Sequence, residues 1–312
     1  MDISVVIPLY NEAESLPELV AWIDRVMQAH RFAYEAILVD DGSRDGSWAV
    51  ICALREGNPA VRGIRFQRNT GKSAALQIGF AAAQAPVVIT LDADLQDSPD
   101  EIPELHRMIR EGGYDLVSGW KKKRYDPLMK TIPSKFFNRV TGLVSGIRNL
   151  HDFNCGLKAY RLEVVRNIEV YGEMHRYIPV MAKWAGFDRI GEKVVEHHPR
   201  KYGRSKFGLN RFINGFLDLL TLVVTQKYLK KPMHFFGTWG VIFGALGAAN
   251  LLYLAWIRLV MGIWISHRLP SLLFGVVMMV SGLIMFSTGL LAELISRNSP
   301  YKNQYPVAER LG

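Results

Sequence analysis

The sequence predicts a Rossmann-like α/β domain followed by an amphipathic stretch and two membrane-spanning helices. Three observations carry this. Short aliphatic runs ending in acid- or glycine-bearing loops alternate with helical stretches, as in strand–helix–strand units. One such run, 87–91, ends directly in Asp92-Ala93-Asp94. Two uncharged apolar stretches, 235–257 and 269–292, lie in the last third of the chain.

With 312 residues, 49% of them hydrophobic, the chain can build one full α/β domain and something more. Its net charge of +9 suits an anionic membrane face or an anionic substrate as well as nucleic acid. The basic residues cluster beside the acid loop and the apolar runs, which disfavours nucleic acid. The two cysteines, Cys52 and Cys155, offer neither a disulfide framework nor metal-ligand spacing and fit a reduced, cytosol-facing domain. The N-terminus enters a strand pattern at once, without signal-peptide architecture.

Residues 3–7 form the first strand, stopped by Pro8 and followed by Leu9-Tyr10-Asn11-Glu12. Glu12, Glu14 and Glu18 load the first turns of a helix whose stripe is Leu16, Leu19, Val20, Ile23 and Val26. A second strand, 36–39, runs into Asp40-Asp41-Gly42-Ser43. A nucleotide base can sit there, since a carboxylate accepts the N3–H of uracil, an interaction lost on a purine. Asp45 or Ser47 caps the helix 48–55. A third strand spans 61–66. The stretch from Arg68 to Ser73 resembles a phosphate loop but lacks the G-x-x-x-x-G-K-[ST] spacing, so a P-loop NTPase is disfavoured. Lys72 is either a diphosphate ligand or a solvated lysine.

Asp92 and Asp94 stand where doubly wound sheets bind ligands, outside the carboxyl ends of the strands. Mg²⁺ or Mn²⁺ takes such oxygens and shares them with a diphosphate, and the amide oxygen of Gln96 can join the shell. The bland alternative is an Asp-rich turn that caps the helix 99–111. After a strand at 114–119, Lys121, Lys122, Lys123, Arg124, Lys130 and Lys135 lie among Trp120, Tyr125, Phe136 and Phe137. That run is either a solvated face or a basic segment meeting an anionic acceptor or lipid headgroups. Asp152 opens a turn and strand and is the next acid able to face the site. A helix follows at 179–185. His197 and His198, adjacent in the closing stretch 194–206, would point to opposite sides of a strand, so no zinc is assigned.

From Leu209 an apolar helical stripe suits a membrane interface. The run 235–257 is 23 residues, about 34 Å as a helix against a hydrocarbon core of about 30 Å. Lys227, Lys230 and Lys231 precede the first span, Arg297 and Lys302 follow the second, and Arg258 and Arg268 lie between. The positive-inside rule puts the α/β domain and the C-terminus in the cytoplasm. The expected divisions are 1–206 catalytic, 207–232 amphipathic, 233–296 two spans and 297–312 tail.

Val6-Ile7-Pro8-Leu9-Tyr10-Asn11-Glu12, Val39-Asp40-Asp41-Gly42-Ser43 and Asp92-Ala93-Asp94-Leu95-Gln96-Asp97 resemble the signatures of family-2 inverting glycosyltransferases. Residues 152–161, Arg200-x-x-Gly203-x-Ser205-Lys206 and the two spans resemble the polyprenyl-phosphate branch, which includes dolichyl-phosphate mannose synthases and bacterial undecaprenyl-phosphate relatives. The resemblance implies the GT-A fold, a mixed sheet, in a multi-pass protein of the inner membrane. It implies inverting transfer of a hexose, UDP-glucose being the expected donor, to a polyprenyl phosphate at the cytoplasmic face. Pro8, Tyr10, Glu12 and Asp41 would hold the nucleoside, with Lys72 near the diphosphate. Asp92, Asp94 and Gln96 would hold Mg²⁺ or Mn²⁺, whose Lewis acidity neutralises the departing diphosphate. Lys130, Ser134 and Arg200, with Ser205 and Lys206, would hold the acceptor phosphate. Lys130 stands where some relatives carry arginine and cannot make a two-pronged bond. The acceptor, with a second pKa near ~6, is largely ionised at neutral pH, so Asp152 is a base or positioning acid under little demand.

A processive polysaccharide synthase shares the first three motifs but needs a Gln-x-x-Arg-Trp segment and more spans. A membrane-anchored scaffold would have no use for the metal acids. GDP-mannose, an N-acetylhexosamine and an aminoarabinose derivative stay open as donors, and so does homo-oligomerisation.

Overall fold

The computed structural model describes residues 1–122, 138, 140–142, 145–147, 149–199, 201–202 and 232–297. The chain divides into two compact units, Met1–Leu219 and Leu220–Gly312. In the first, strands β1 (Ile3–Leu9), β2 (Tyr34–Asp40), β3 (Val61–Arg65), β4 (Val87–Thr90), β5 (Leu116–Trp120), β6 (Lys158–Arg161) and β7 (Ile190–Val194) form one mixed sheet in the order β3-β2-β1-β4-β6-β5-β7. β1 pairs in parallel with β2 and β4, β2 with β3, and β5 with β7. β6 runs antiparallel to both β4 and β5.

All seven side chains of β1 are buried, as a parallel strand covered on both faces requires. Helix α1 (Leu16–Ala29) supplies part of that cover through Leu16, Leu19, Val20, Ile23, Val26 and Met27. These recur at three- and four-residue spacing, and burying each contributes about 1.5–3 kcal/mol. Helices α2 (Ser47–Gly57), α3 (Lys72–Ala82), α4 (Ile102–Arg110), α5 (Leu162–Arg166) and α6 (Ile178–Trp184) connect or flank the later strands. The order reverses at β1, with β2 on one side and β4 on the other. A crevice opens at the carboxyl ends of strands at such a reversal.

One strand falls earlier than the sequence pattern suggests. β7 ends at Val194, and His197 makes only an isolated bridge to Asp97. As an edge strand carrying Glu192 and Lys193, β7 lacks the apolar run that marks the interior strands.

The second unit contains α7 (Thr238–Val260), entered through a π-helical turn at Met233–Gly237, and α8 (Leu269–Arg297). Both are long and apolar enough to cross a membrane. At 1.5 Å per residue, the 23 residues of α7 reach about 34 Å. Glycines bring the pair together. A Cβ on Gly240 would lie 2.8 Å from the Gly282 carbonyl oxygen, and one on Gly282 would lie 2.5 Å from the Gly244 nitrogen. Such small-residue contacts hold helices together where lipid removes the hydrophobic drive. Asn250 Nδ2 donates to Ser271 Oγ at 3.2 Å across the pair. Between the helices, the Arg258 guanidinium lies 4.2 Å from the Trp264 ring centroid. The expected interfacial stretch is outside the described residues as far as 231.

Candidate active site

Three loops leave the carboxyl ends of β1, β2 and β4 and enclose a cavity of about 360 Å³. Pro8, Tyr10 and Glu12 come from the first, Asp41 from the second, and Asp92 and Asp94 from the third, while Lys72 and Gly71 enter from the start of α3. All but one of the nucleotide and metal positions expected from the motifs thus line one cleft. The exception, Gln96, is not among the lining residues. Its backbone N–H donates to Asp94 Oδ1 at 3.2 Å, and its backbone carbonyl accepts from the His198 backbone N–H at 2.8 Å.

The first two loops are stitched together by short polar side chains. The Asn11 amide donates to Ser43 Oγ at 2.9 Å, and Asn11 Oδ1 accepts from the Arg44 amide at 2.9 Å. The Glu12 amide donates to Ser47 Oγ at 3.0 Å, and the Ala13 amide to Asp45 Oδ2 at 3.2 Å. Asp45 also accepts from the Ser47 amide at 3.0 Å. The sequence expects one of these two to cap the helix; Gly46 holds the N-cap position instead, with no side-chain cap bond, and Asp45 and Ser47 tie the rim of the cleft. Asn11 and Leu95 adopt positive φ (57° and 60°), a conformation unusual outside glycine that packing sustains here on both sides of the cleft. Gly42, at φ 68°, lies so close to the next loop that a Cβ would sit 2.5 Å from the Arg68 carbonyl carbon.

Asp41 is buried, and its two oxygens accept from the amides of Thr70 (2.6 Å) and Gly71 (2.8 Å). A carboxylate has about four acceptor positions, so the fixed Asp41 retains capacity toward the cleft it lines. Asp92 forms an ion pair with Lys72 Nζ at 2.5 Å. Burial works against its charge, but the Lys72 and Lys121 ammonium groups outweigh burial and hold the carboxyl below its usual range. Lys72 is therefore a cleft residue bound to an acid.

Among the described residues, no three His, Cys, Asp or Glu side chains converge as a closed metal site. Two carboxylates lining one cleft nevertheless fit a hard divalent ion, which takes oxygen ligands and fills its shell with water or phosphate oxygens.

Asp152 is buried beside rather than within the cleft. Its Oδ1 accepts from the Asn154 amide at 3.1 Å, and its own amide donates to Glu192 Oε1 at 3.0 Å. Lys130, Ser134, Arg200, Ser205 and Lys206 lie outside the described residues. Lys121, which the sequence leaves as part of a solvated face or of a basic segment, is partly buried and paired with Asp97 at 2.6 Å. Sequence reasoning also passed over Lys158 and His175, which border Asp92. The available signal was Lys158 itself, a charge between Leu157 and Ala159. His197 is directed at Asp97, with 3.8 Å between Nδ1 and Oδ1, whereas His198 packs against Trp22.

A Rossmann-like sheet with an Asp-x-Asp cleft at its switch point is a scaffold that can hold a nucleotide. The model of glycosyl transferase family 2 matches residues 4–169, and the chain belongs to that family. It is 40% identical to the dodecaprenyl-phosphate galacturonate synthase of Rhizobium johnstonii over 95% of this chain and 88% of that protein. It is 36% identical to the undecaprenyl-phosphate 4-deoxy-4-formamido-L-arabinose transferase of Pseudomonas fluorescens, over 95% and 85%. Among solved structures, mannosyl-3-phosphoglycerate synthase from Rubrobacter xylanophilus aligns with TM-score 0.59 at 14% identity, covering 73% of this chain and 75% of that one. Glucosyl-3-phosphoglycerate synthase from Mycobacterium tuberculosis, in complex with Mn²⁺, UDP-glucose and glycerol 3-phosphate, aligns with TM-score 0.52 at 17% identity, over 72% and 79%. These two structures share the GT-A fold with this chain.

Proposed function

We propose that this glycosyltransferase moves the sugar of a uridine diphosphate hexose, or hexose derivative, onto a polyprenyl phosphate at the cytoplasmic face of the membrane. One observation carries the donor half: Pro8, Tyr10, Glu12, Asp41, Lys72, Asp92 and Asp94 line a single cleft at the sheet's switch point. The acceptor half is supported by relatives named for dodecaprenyl and undecaprenyl phosphates, matched over 95% of this chain. Those names carry different sugars, so glucose, the sugar expected from sequence, enters the test as the reference donor.

Asp41 holds the uracil edge while the Thr70 and Gly71 amides fix its carboxylate. Asp92 and Asp94 hold Mg²⁺ or Mn²⁺, as the Mn²⁺ in the mycobacterial relative's structure supports. When bound, the ion offsets the charge that develops on the departing diphosphate. Lys72 stands beside Asp92, where its ammonium can turn to a phosphate oxygen. Lys130, Ser134, Arg200, Ser205 and Lys206 position the acceptor phosphate, whose oxygen is already ionised and needs no strong base. Asp152 acts by orienting Asn154. The α/β unit and the C-terminal tail are cytoplasmic, with domain limits at 206, 232 and 296.

The test is incubation of membranes holding the chain with labelled nucleotide sugars and undecaprenyl phosphate, followed by lipid extraction. Divalent-ion-dependent label in a mild-acid-labile lipid is expected from a UDP sugar. Label from GDP-mannose alone, or none in lipid from any donor, would overturn the proposal.

A further inference from the structure

Asp97 ends the acid motif but is not among the residues lining the cleft that Asp92 and Asp94 share. It is fully buried, with Lys121 Nζ 2.6 Å from Oδ1 and His197 Nδ1 3.8 Å from the same oxygen. Backbone groups join these segments as well. Asp97 and His197 form an isolated antiparallel bridge, and the His198 backbone N–H donates to the Gln96 carbonyl at 2.8 Å. The far end of the acid loop is thus tied to the residue after β5 and to the segment after β7. Its near end is tied by the ion pair of Asp92 with Lys72 at 2.5 Å.

Between the two ties stands Leu95, at φ 60° and 5% exposed. In that conformation a β-carbon crowds the following carbonyl oxygen, and leucine lacks the short polar side chain that eases it in asparagine. Leu95 therefore needs support, from its own burial and from the segments fixed on either side. Its conformation matters to the site, because the Gln96 backbone N–H reaches back across it to Asp94 Oδ1 at 3.2 Å. A relaxation of Leu95 to negative φ would turn the chain, break that bond and redirect Asp94. Stability alone gives little reason for Asp97 and Lys121, since apolar residues of like volume often replace a buried ion pair without loss.

We propose that Asp97 is a positioning residue: anchored by Lys121, it keeps Leu95 left-handed and so aims Asp94, together with Asp92, at a divalent ion. This rests on the reading of Asp92 and Asp94 as the ion's ligands. The acids are then ordered before the ion arrives, and binding does not have to arrange them.

The test measures Mn²⁺ binding to the full-length protein in nanodiscs with UDP present, from the electron paramagnetic resonance signal of free Mn²⁺. Lys121→Met is the decisive variant, because charge and positioning predict opposite signs. Removing a nearby positive charge by itself favours a divalent cation. Lost positioning should instead weaken binding by ~10-fold, the scale of one unsupported left-handed residue. UDP binding without metal, which Asp41 supports from another loop, should change little, and Lys121→Arg should stay near the parent. Adding Leu95→Gly to Lys121→Met should restore much of the affinity, since glycine holds positive φ without support. Tighter or unchanged Mn²⁺ binding in Lys121→Met overturns the inference. So does an equal fall in metal-free UDP binding, the mark of a merely structural ion pair. If Lys121→Met fails to fold, Asp97→Asn combined with Lys121→Gln removes the pair without altering net charge, and the same loss of Mn²⁺ affinity is expected. A parent chain that binds no Mn²⁺ with UDP sinks the metal reading itself. A parent that binds it, with variants that bind it as well, sinks this inference alone.

Discussion

At Asp92 and Asp94 two carboxylates two residues apart have different surroundings. Asp92 is locked to Lys72 at 2.5 Å, while Asp94 Oδ1 receives the Gln96 amide in the same loop. Asp94→Asn keeps that acceptor but removes the charge a divalent ion needs. It should lower transfer by roughly 100-fold or more while leaving membrane insertion intact, a loss on the scale of removing one charge-stabilising group. Near-normal turnover in radiolabelled lipid assays would refute the metal assignment. The two cysteines offer a second check. Burial pushes the Cys155 thiol up to about 12, whereas Cys52 is exposed. Iodoacetamide at pH 8 should therefore modify one thiol in the folded chain and two after denaturation, as counted by mass spectrometry. The raised value also has a stability sign. The unfolded thiol ionises near pH ~8.5, so this contribution is full below that pH and is lost as pH rises toward about 12.

Among elements, the cleft depends on loops that approach too closely for side chains. Gly42→Ala would combine a positive φ with contacts of 2.5 to 2.8 Å to the Arg68–Asn69 backbone, pushing away the loop whose amides hold Asp41. It should cost about 1–3 kcal/mol of stability, read as a lower melting temperature, and should raise the KM for the donor. Gly156 is constrained by a side chain instead, since a Cβ there would sit 2.4 Å from Asp92 Oδ2. In the second unit, Gly282→Leu should force α7 and α8 apart. Cysteines placed at Asn250 and Ser271, which hydrogen-bond across the pair at 3.2 Å, should cross-link under mild oxidation in the parent and poorly in the glycine variant. Equal cross-linking would show that the close glycine approach is dispensable.

For the whole molecule, the charge distribution around the two spans makes a topological statement. The proposed topology, with the α/β unit inside, requires the turn after α7 to face outward. Met261 there is 63% exposed in its own unit. Met261→Cys should react with a membrane-impermeant maleimide on intact cells, and the exposed Cys52 should react only after permeabilisation. The reverse pattern would place the cleft on the wrong side for a cytosolic nucleotide sugar.

Much of this protein can be read from local pattern alone. The buried parallel strands, the stripe of α1, the Asp-x-Asp rim and the two long apolar helices all follow from periodicity, length and the side chains that each environment tolerates. Residues that lie close along the chain, such as Asp92 and Asp94, reach one cleft together without help from distant segments. The edge strand β7 was not legible, because a strand exposed on one side needs no apolar run. Nor were the partners of Lys121 and Lys158. Asp97 lies 24 residues from Lys121, and the pocket around Lys158 gathers Pro8, Lys72, Asp92 and His175 from separate strands and loops. A lysine's role depends on its burial and on which oxygens reach it. Those are set by the packing of distant segments, so only the tertiary structure could separate a solvated charge from a buried one.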